Sequence, residues 1–291
     1  MLLILVGAPM SGRRTALNWL GEHGFRCVDG DEVRAAECGL AGEAPMATIA
    51  QDGNELERMS DISMSFILAI DAPHGVRWRR QMASGGGSLE DFVKKSDSLM
   101  YDCDQKGTPL RTWMSNATIR AMNQGSLEEF YSQLESLDLR NPKHARPSWD
   151  MYFLQLAVLA SRRTNCMKRA VGAVIVKSNR VVSTGYNGTA SGLTNCSDGG
   201  CKRCNSFARM GVSLDVCLCL HAEENAIIEA GSSRCENATL YSSLFPCLAC
   251  TKLIMQVGIT RVIYNSSYAT DERAEAMMIS SGIQVLRGGP L

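Results

Sequence analysis

Apolar and polar positions fall into two patterned stretches divided by an unpatterned one. In the first, the apolar run Leu2 to Val6 reads as a short buried strand. A Gly-rich turn and a helical stretch to about Gly21 follow, then a second strand near Phe25 to Val28 and a later one at Phe66 to Ile70. The segment Asp138 to Trp149 (DLRNPKHARPSW) holds two prolines and several charges without a hydrophobic period, and reads as a linker. The second stretch opens on a helix from Trp149 to Arg162, its apolar side marked by Tyr152, Leu156, Val158 and Leu159. Strands at Val171–Val176 and Val181–Tyr186, joined by a short turn at Ser178-Asn179, predict an antiparallel hairpin. A loop rich in Gly and Cys runs from Asn187 to about Leu218. The pattern then predicts helix His221–Ala230, strand Thr239–Ser243, helix Cys247–Val257, strand Arg261–Tyr264, helix Asp271–Ser281 and strand Ile283–Arg287. A helix between the last two strands favours their parallel pairing. The whole reads as an α/β chain of two domains, residues 1–138 and 149–291, joined by a linker at 139–148. The second domain is expected to be a mixed five-stranded sheet with helices on both faces.

A length of 291 residues suits two domains. No apolar run reaches the length of a membrane span. The opening MLLILVGAPM lacks a basic leader and runs into a Gly-rich turn, so it reads as a buried strand and not a signal peptide. The expectation is a soluble, cytoplasmic protein, with a nuclear location also open to it. Thirty basic and thirty acidic residues give a formal net charge of zero. A protein that grips nucleic acid carries a basic excess, so a polynucleotide partner is disfavoured; a small nucleotide needs only a few local cations.

Twelve cysteines change the picture. In an intracellular chain such a count points to metal binding where the spacing fits. His221-Ala222-Glu223 opens one predicted helix and Pro246-Cys247-Leu248-Ala249-Cys250 opens another. His221, Cys247 and Cys250 supply one imidazole and two thiolates, three corners of a tetrahedral zinc site whose fourth position takes water. Both helix N-termini direct partial positive charge at the metal and lower the thiol pKa values. Glu223, two residues past His221, is a proton carrier and not a ligand; the H-x-E…P-C-x-x-C arrangement is a general signature of zinc nucleobase deaminases. Alone, a C-x-x-C pair is often a structural knuckle and a Glu at a helix start a capping charge; their combination carries the reading. In the Cys-rich loop, Cys201 and Cys204 form a second C-x-x-C pair. With Cys196 and one of Cys219 or Cys217 they would make a four-thiolate structural zinc; free thiols in a loop are the simpler alternative. Cys27, Cys38, Cys103 and Cys166 are expected to be small buried hydrophobes.

Residues 148–291 resemble the deoxycytidylate deaminase family, its fungal members most of all. The resemblance rests on Ser148-Trp149-Asp150, Val171 to Val176, Gly185-Tyr186-Asn187-Gly188-Thr189, His221 to Ile227, Phe245-Pro246-Cys247, Gly258-Ile259 and Val262-Ile263-Tyr264. It implies a cytidine-deaminase-like fold and hydrolysis of dCMP to dUMP and ammonia, feeding thymidylate synthesis. It also implies a homo-oligomer, commonly a hexamer, activated by dCTP and inhibited by dTTP, with Mg2+ accompanying the triphosphate. By the same resemblance Asn187 hydrogen-bonds the nucleotide near its sugar, and Asn187 and Gly188 sit at the effector pocket; a plain turn role for Asn187 is the alternative. Tyr268 is a candidate to stack on the pyrimidine. Arg162, Lys168 and Arg169 are candidates for the phosphate, against the commoner fate of solvated surface charge.

The first domain resembles P-loop kinases of the dephospho-coenzyme A and nucleoside monophosphate type. The resemblance rests on Gly7-Ala8-Pro9-Met10-Ser11-Gly12-Arg13-Arg14-Thr15 after the first strand, the Asp29/Asp31 turn, Arg77, Arg79 and Arg80 before a helix, and the stretch Asn123 to Glu129. Arg13 stands where a lysine would reach phosphate and Arg14 where a hydroxyl would hold magnesium, so the domain is expected to be a structural or regulatory remnant. Three rivals are weaker. A polynucleotide deaminase would want a basic face, a kinase would need the lost P-loop residues, and an inert zinc scaffold would have no use for Glu223.

Overall fold

The strand most deeply buried in the first half, β1 (Leu2–Val6), has no exposed residue, as a strand covered on both faces requires. A computed structural model describes residues 1–36, 44–101, 108–207, 212–213, 216–267 and 272–289. It divides into two compact units, Met1–Arg146 and Pro147–Leu291. In the first unit β1 is followed by α1 (Arg13–Glu22), β2 (Arg26–Cys27), α2 (Gly30–Ala36), β3 (Met46–Ile49), α3 (Gly53–Ser60) and β4 (Ser65–Asp71). Then come α4 (His74–Ala83), α5 (Leu89–Tyr101), α6 (Leu110–Asn116), β5 (Ile119–Met122) and α7 (Leu127–Ser136). The five strands are parallel in the order β2-β3-β1-β4-β5, with Leu3 opposite Ala47 on one side and Phe66 on the other. Strands β3 and β5 add to those expected; four residues each are too few to show a period. Leu139, Ala145 and the short turn Pro142–His144 belong to this unit, so the expected linker begins inside its core.

The second unit runs α8 (Trp149–Ser161), β6 (Gly172–Lys177), β7 (Arg180–Tyr186), β8 (Gly188–Thr189), β9 (Cys219–Leu220), α9 (Ala222–Ala230) and α10 (Ser232–Cys235). It continues with β10 (Thr239–Leu244), α11 (Leu248–Gln256), β11 (Arg261–Ser266), α12 (Glu272–Ser280) and β12 (Gln284–Arg287). The sheet order is β12-β11-β10-β6-β7. The last three strands are mutually parallel, and β6 pairs antiparallel with both β10 and β7. The hairpin forms as expected: Ser178 (φ 52°) and Asn179 (φ 57°) both occupy the left-handed region that a two-residue turn needs. Successive β6 side chains face opposite layers. Ala173 and Ile175 join the core under α9, α11 and α12, whereas Val174 and Val176 join Phe153, Leu154 and Ala157 of α8.

The inner face of α8 differs from the expected one. Tyr152 is 42% and Leu159 57% exposed, and the buried residues are Phe153, Leu154, Ala157 and Ser161. The helix is apolar almost all round, so its pattern does not choose a face; packing does. Its start is fixed by the Ser148 cap and by Asp150, which takes two hydrogen bonds from Arg261 (2.9 and 2.8 Å) and one from Tyr241 (2.7 Å). Among the described residues no helix is long and apolar enough to cross a membrane.

Candidate active site

Two helix starts converge below β10. His221 precedes the first residue of α9, Cys247 precedes the first residue of α11, and Cys250 lies in the first turn of α11. Close packing of β7 sets the position of α9. A Cβ at Gly185 would stand 2.1 Å from the Ala222 carbonyl oxygen and 2.5 Å from the Ala226 nitrogen, so only glycine lets the strand lie so near the helix. His221 Nδ1 is 3.3 Å from both Cys247 Sγ and Cys250 Sγ, and the three ligand atoms lie within 4.8 Å of one another. Tetrahedral zinc at ordinary Zn–S and Zn–N lengths separates sulfur from nitrogen by about 3.6 Å, so the donor set fits zinc in kind and in spacing. The Cys250 thiol and the His221 ring hold Cys247 down at about 4 against burial, and Cys247 in turn raises His221 to about 9. A thiolate is thus favoured at Cys247, whereas Cys247 itself, burial and Glu223 push the Cys250 thiol up, so the expected lowering of both thiols holds for one of them.

Glu223 is 4% exposed. Burial raises its carboxyl above the ordinary range, while Ser242 Oγ donates to its Oε1 at 3.0 Å and opposes that shift. Its other oxygen lies 3.6 Å from Cys250 Sγ, beside the metal ligands. A carboxyl so placed, raised by burial and beside the metal ligands, is positioned to exchange a proton with a group bound there. Ser242, fully buried on β10, is a participant the sequence reading missed; Thr239, Tyr241 and Ser243 of the same strand also carry hydroxyls, so nothing in the sequence singled it out.

The cavity over this site is lined by Glu223, His221, Asn187, Phe245 and the cations Lys168, Arg169 and Arg203. Arg162 does not line it, and Tyr268 lies outside the described residues. Asn187 is held fast: Oδ1 accepts from Val171 N (2.8 Å) and Thr164 Oγ1 (2.9 Å), and Nδ2 donates to Arg169 O (2.7 Å). One Nδ2 hydrogen is left over from these three bonds. Gly188 begins the small β8–β9 ribbon, pairing with Leu220 next to His221, and its bare Cα admits Asn165.

Six thiols gather beside the cavity, four of them (Cys166, Cys204, Cys217 and Cys219) lining it. Cys166, Cys196, Cys204 and Cys219 form one set of four and Cys201, Cys204, Cys217 and Cys219 another. Cys196 and Cys201, expected to share one ion, fall in different sets, while Cys217 and Cys219 both take part. Cys166 is not a buried filler but lies 3.8 Å from Cys204. It stands thirty residues before the next cysteine, so spacing could not flag it. Cys27 is exposed rather than buried, and Cys38 and Cys103 lie outside the described residues.

In the first unit, the loop after β1 borders a cavity lined by Ser11, Gly12, Arg13, Arg14, Arg80 and Asn123. Arg13 donates to the Ala50 carbonyl (3.3 Å), and Arg80 to Asn123 Oδ1 (2.8 Å). Arg77, Arg79 and Arg80 precede α5 as expected but themselves lie within α4, with Arg77 buried against Ser96 Oγ (3.0 Å) and the Ala72 carbonyl (3.1 Å).

Residues 147–266 match the family model described as the cytidine and deoxycytidylate deaminase zinc-binding region. The deoxycytidylate deaminase of Schizosaccharomyces pombe is 44% identical over 224 residues, covering 75% of this chain and 69% of that protein. The deoxycytidylate deaminase of Saccharomyces cerevisiae is 42% identical over 243 residues, covering 79% of this chain and 77% of that protein. Among solved structures, the dCMP deaminase of the cyanophage S-TIM5 in complex with dCMP and dUMP is 27% identical over 49% of this chain and 98% of its own, with a TM-score of 0.39.

Proposed function

This chain belongs to the deoxycytidylate deaminase family and hydrolyses dCMP to dUMP, and from that premise we propose that His221, Cys247 and Cys250 hold the catalytic zinc and that Glu223 moves the protons. The observation that carries the reading is the meeting of one imidazole, two thiols and a buried carboxyl at two helix starts. Zinc bound there supplies a Lewis acid that makes water nucleophilic at neutral pH.

The protein's own groups do the rest. Glu223 accepts a proton from the attacking water, passes one to the pyrimidine ring and later one to the departing amine, so that water and dCMP become dUMP and ammonia. Its buried, raised carboxyl suits both the taking and the giving. Ser242 keeps its Oε1 oriented. Phe245 supplies an apolar wall for the base, and Lys168, Arg169 and Arg203 make the cavity attractive to a phosphate. Asn187 directs its remaining Nδ2 hydrogen to the sugar. Ammonia release from dCMP, with zinc counted in parent and Glu223→Ala, tests this. Activity in the parent and none in a zinc-replete variant is the expected result; an active variant would overturn the role of Glu223.

Regulation belongs to the same proposal. A homo-oligomer takes magnesium-bound dCTP as activator and dTTP as inhibitor near Asn187 and Gly188. The Gly188–Leu220 pairing, one residue from His221, supports a route from that loop to the metal. A flat velocity on adding dCTP at sub-saturating dCMP would remove this part. The amino-terminal unit we read as P-loop-kinase-like and catalytically silent. Its all-parallel sheet, the left-handed Gly12 (φ 106°) before α1, and the tie of Arg13 to a backbone carbonyl support that reading.

A further inference from the structure

A tetrahedral ion takes four thiolates, yet six thiols crowd together beside the cavity. Their two sets of four share Cys204 and Cys219 and differ in the other pair, Cys166 with Cys196 in one and Cys201 with Cys217 in the other. That division is what two adjoining tetrahedra with a common edge require. Each ion has two ligands of its own and two that bridge, and four terminal plus two bridging sulfurs complete both. The spacing agrees. Four thiolates around zinc have edges of about 3.8 Å. The contacts here are 3.6 Å (Cys204–Cys217), 3.8 Å (Cys166–Cys204), 3.9 Å (Cys201–Cys217) and 3.9 Å (Cys204–Cys219). The shared pair, Cys204 and Cys219, is itself at edge distance.

The surroundings match such a cluster. Six thiolates and two divalent cations leave net negative charge, and donors stand ready for it. Arg203 Nη1 lies 3.9 Å from Cys204 Sγ. Backbone amides of Met167 and Leu218 reach Cys196 Sγ (3.5 Å) and Cys201 Sγ (3.4 Å), and Asn205 Nδ2 reaches Cys196 Sγ (3.7 Å). The small core at this place consists of the cysteines themselves: Cys196, Cys201 and Cys204 are buried, with Cys166, Cys217 and Cys219 packed against them. A long loop with no apolar core of its own needs some other organiser.

We propose that Cys166, Cys196, Cys201, Cys204, Cys217 and Cys219 hold two zinc ions as a binuclear thiolate cluster, bridged by Cys204 and Cys219. Binding releases the thiol protons and forms only metal–sulfur bonds, so no oxidant is needed. The cluster fixes the active-site wall, for Cys166 stands two residues before Lys168 and Cys219 two before His221.

The proposal goes beyond the catalytic-zinc reading, and metal counting on purified full-length protein separates the two. The parent should carry about three zinc per chain, the two of the cluster and one catalytic ion. His221→Ala should lower that count by one and leave the cluster. Cys166→Ser should also lower it, because Cys166 is needed for the second ion only. A parent holding two, with Cys166→Ser unchanged, would mean a single structural ion and overturn the pair. A count insensitive to His221→Ala would instead sink the catalytic-zinc reading and leave the pair standing. Should Cys166→Ser fail to fold, cadmium-113 NMR of the exchanged parent decides. Two tetrathiolate signals coupled to each other through shared sulfur support the bridges; uncoupled signals, or one alone, overturn them.

Discussion

Ser242→Ala removes one hydroxyl, and its effect on catalysis can be worked from one hydrogen bond. Ser242 is fully buried, and its Oγ donates to Glu223 Oε1 at 3.0 Å. That bond favours the carboxylate over the acid, against the burial that raises the Glu223 pKa. A hydrogen bond to a charged group is worth about 1.5–3 kcal/mol, which corresponds to about 1–2 pH units. The sign follows from the base role. Glu223 must be a carboxylate to accept the water proton, so losing the bond moves the acid limb of kcat/KM to higher pH. On that limb the variant should be slower by about tenfold or more; well above it the two profiles should converge. The assay is ammonia release from dCMP across pH, with zinc content measured in both proteins. The same acid limb in parent and variant, with kcat/KM equal within about twofold at every pH, would refute the coupling of Ser242 to Glu223.

Three further outcomes are expected. Gly185→Ala forces a methyl group to within 2.1 Å of the Ala222 carbonyl; it should cost about 1–3 kcal/mol in urea unfolding and weaken zinc retention by shifting α9, and unchanged stability would count against the close β7–α9 fit. Asp150→Asn should destabilise the second unit by about 1 kcal/mol at neutral pH. Burial acts to raise the Asp150 carboxyl, but Arg261 and Tyr241 hold it below its ordinary value, so the stabilisation is complete above the unfolded pKa and is lost as pH falls through the folded one. Unfolding midpoints of parent and variant should therefore approach each other in acid, and a gap constant down to about pH 2 would contradict the pairing. The double substitution Lys168→Ala/Arg169→Ala should raise KM for dCMP by about tenfold or more while sparing deoxycytidine; equal effects on both substrates would remove these cations from phosphate binding.

The sequence by itself determined which residues open the two helices of the candidate site, and most of the elements. His221, Glu223, Cys247 and Cys250 were legible because their spacing puts them at two helix starts, and spacing along a helix is a local property. The hairpin at Ser178-Asn179 and the parallel pair β11–β12 were legible for the same reason, since turn length and an intervening helix dictate strand direction. Tertiary structure decided what depends on distant partners. Which face of α8 turns inward was settled by the sheet, because the helix offers apolar residues nearly everywhere. That Ser242 serves Glu223 follows from β10 passing under α9. That Cys166 joins cysteines thirty and more residues away, and that Cys196 and Cys201 part into separate sets, follows from the folding of a loop that has no period to read. Local geometry is written in residue spacing; contacts between remote segments arise only when the core closes around them.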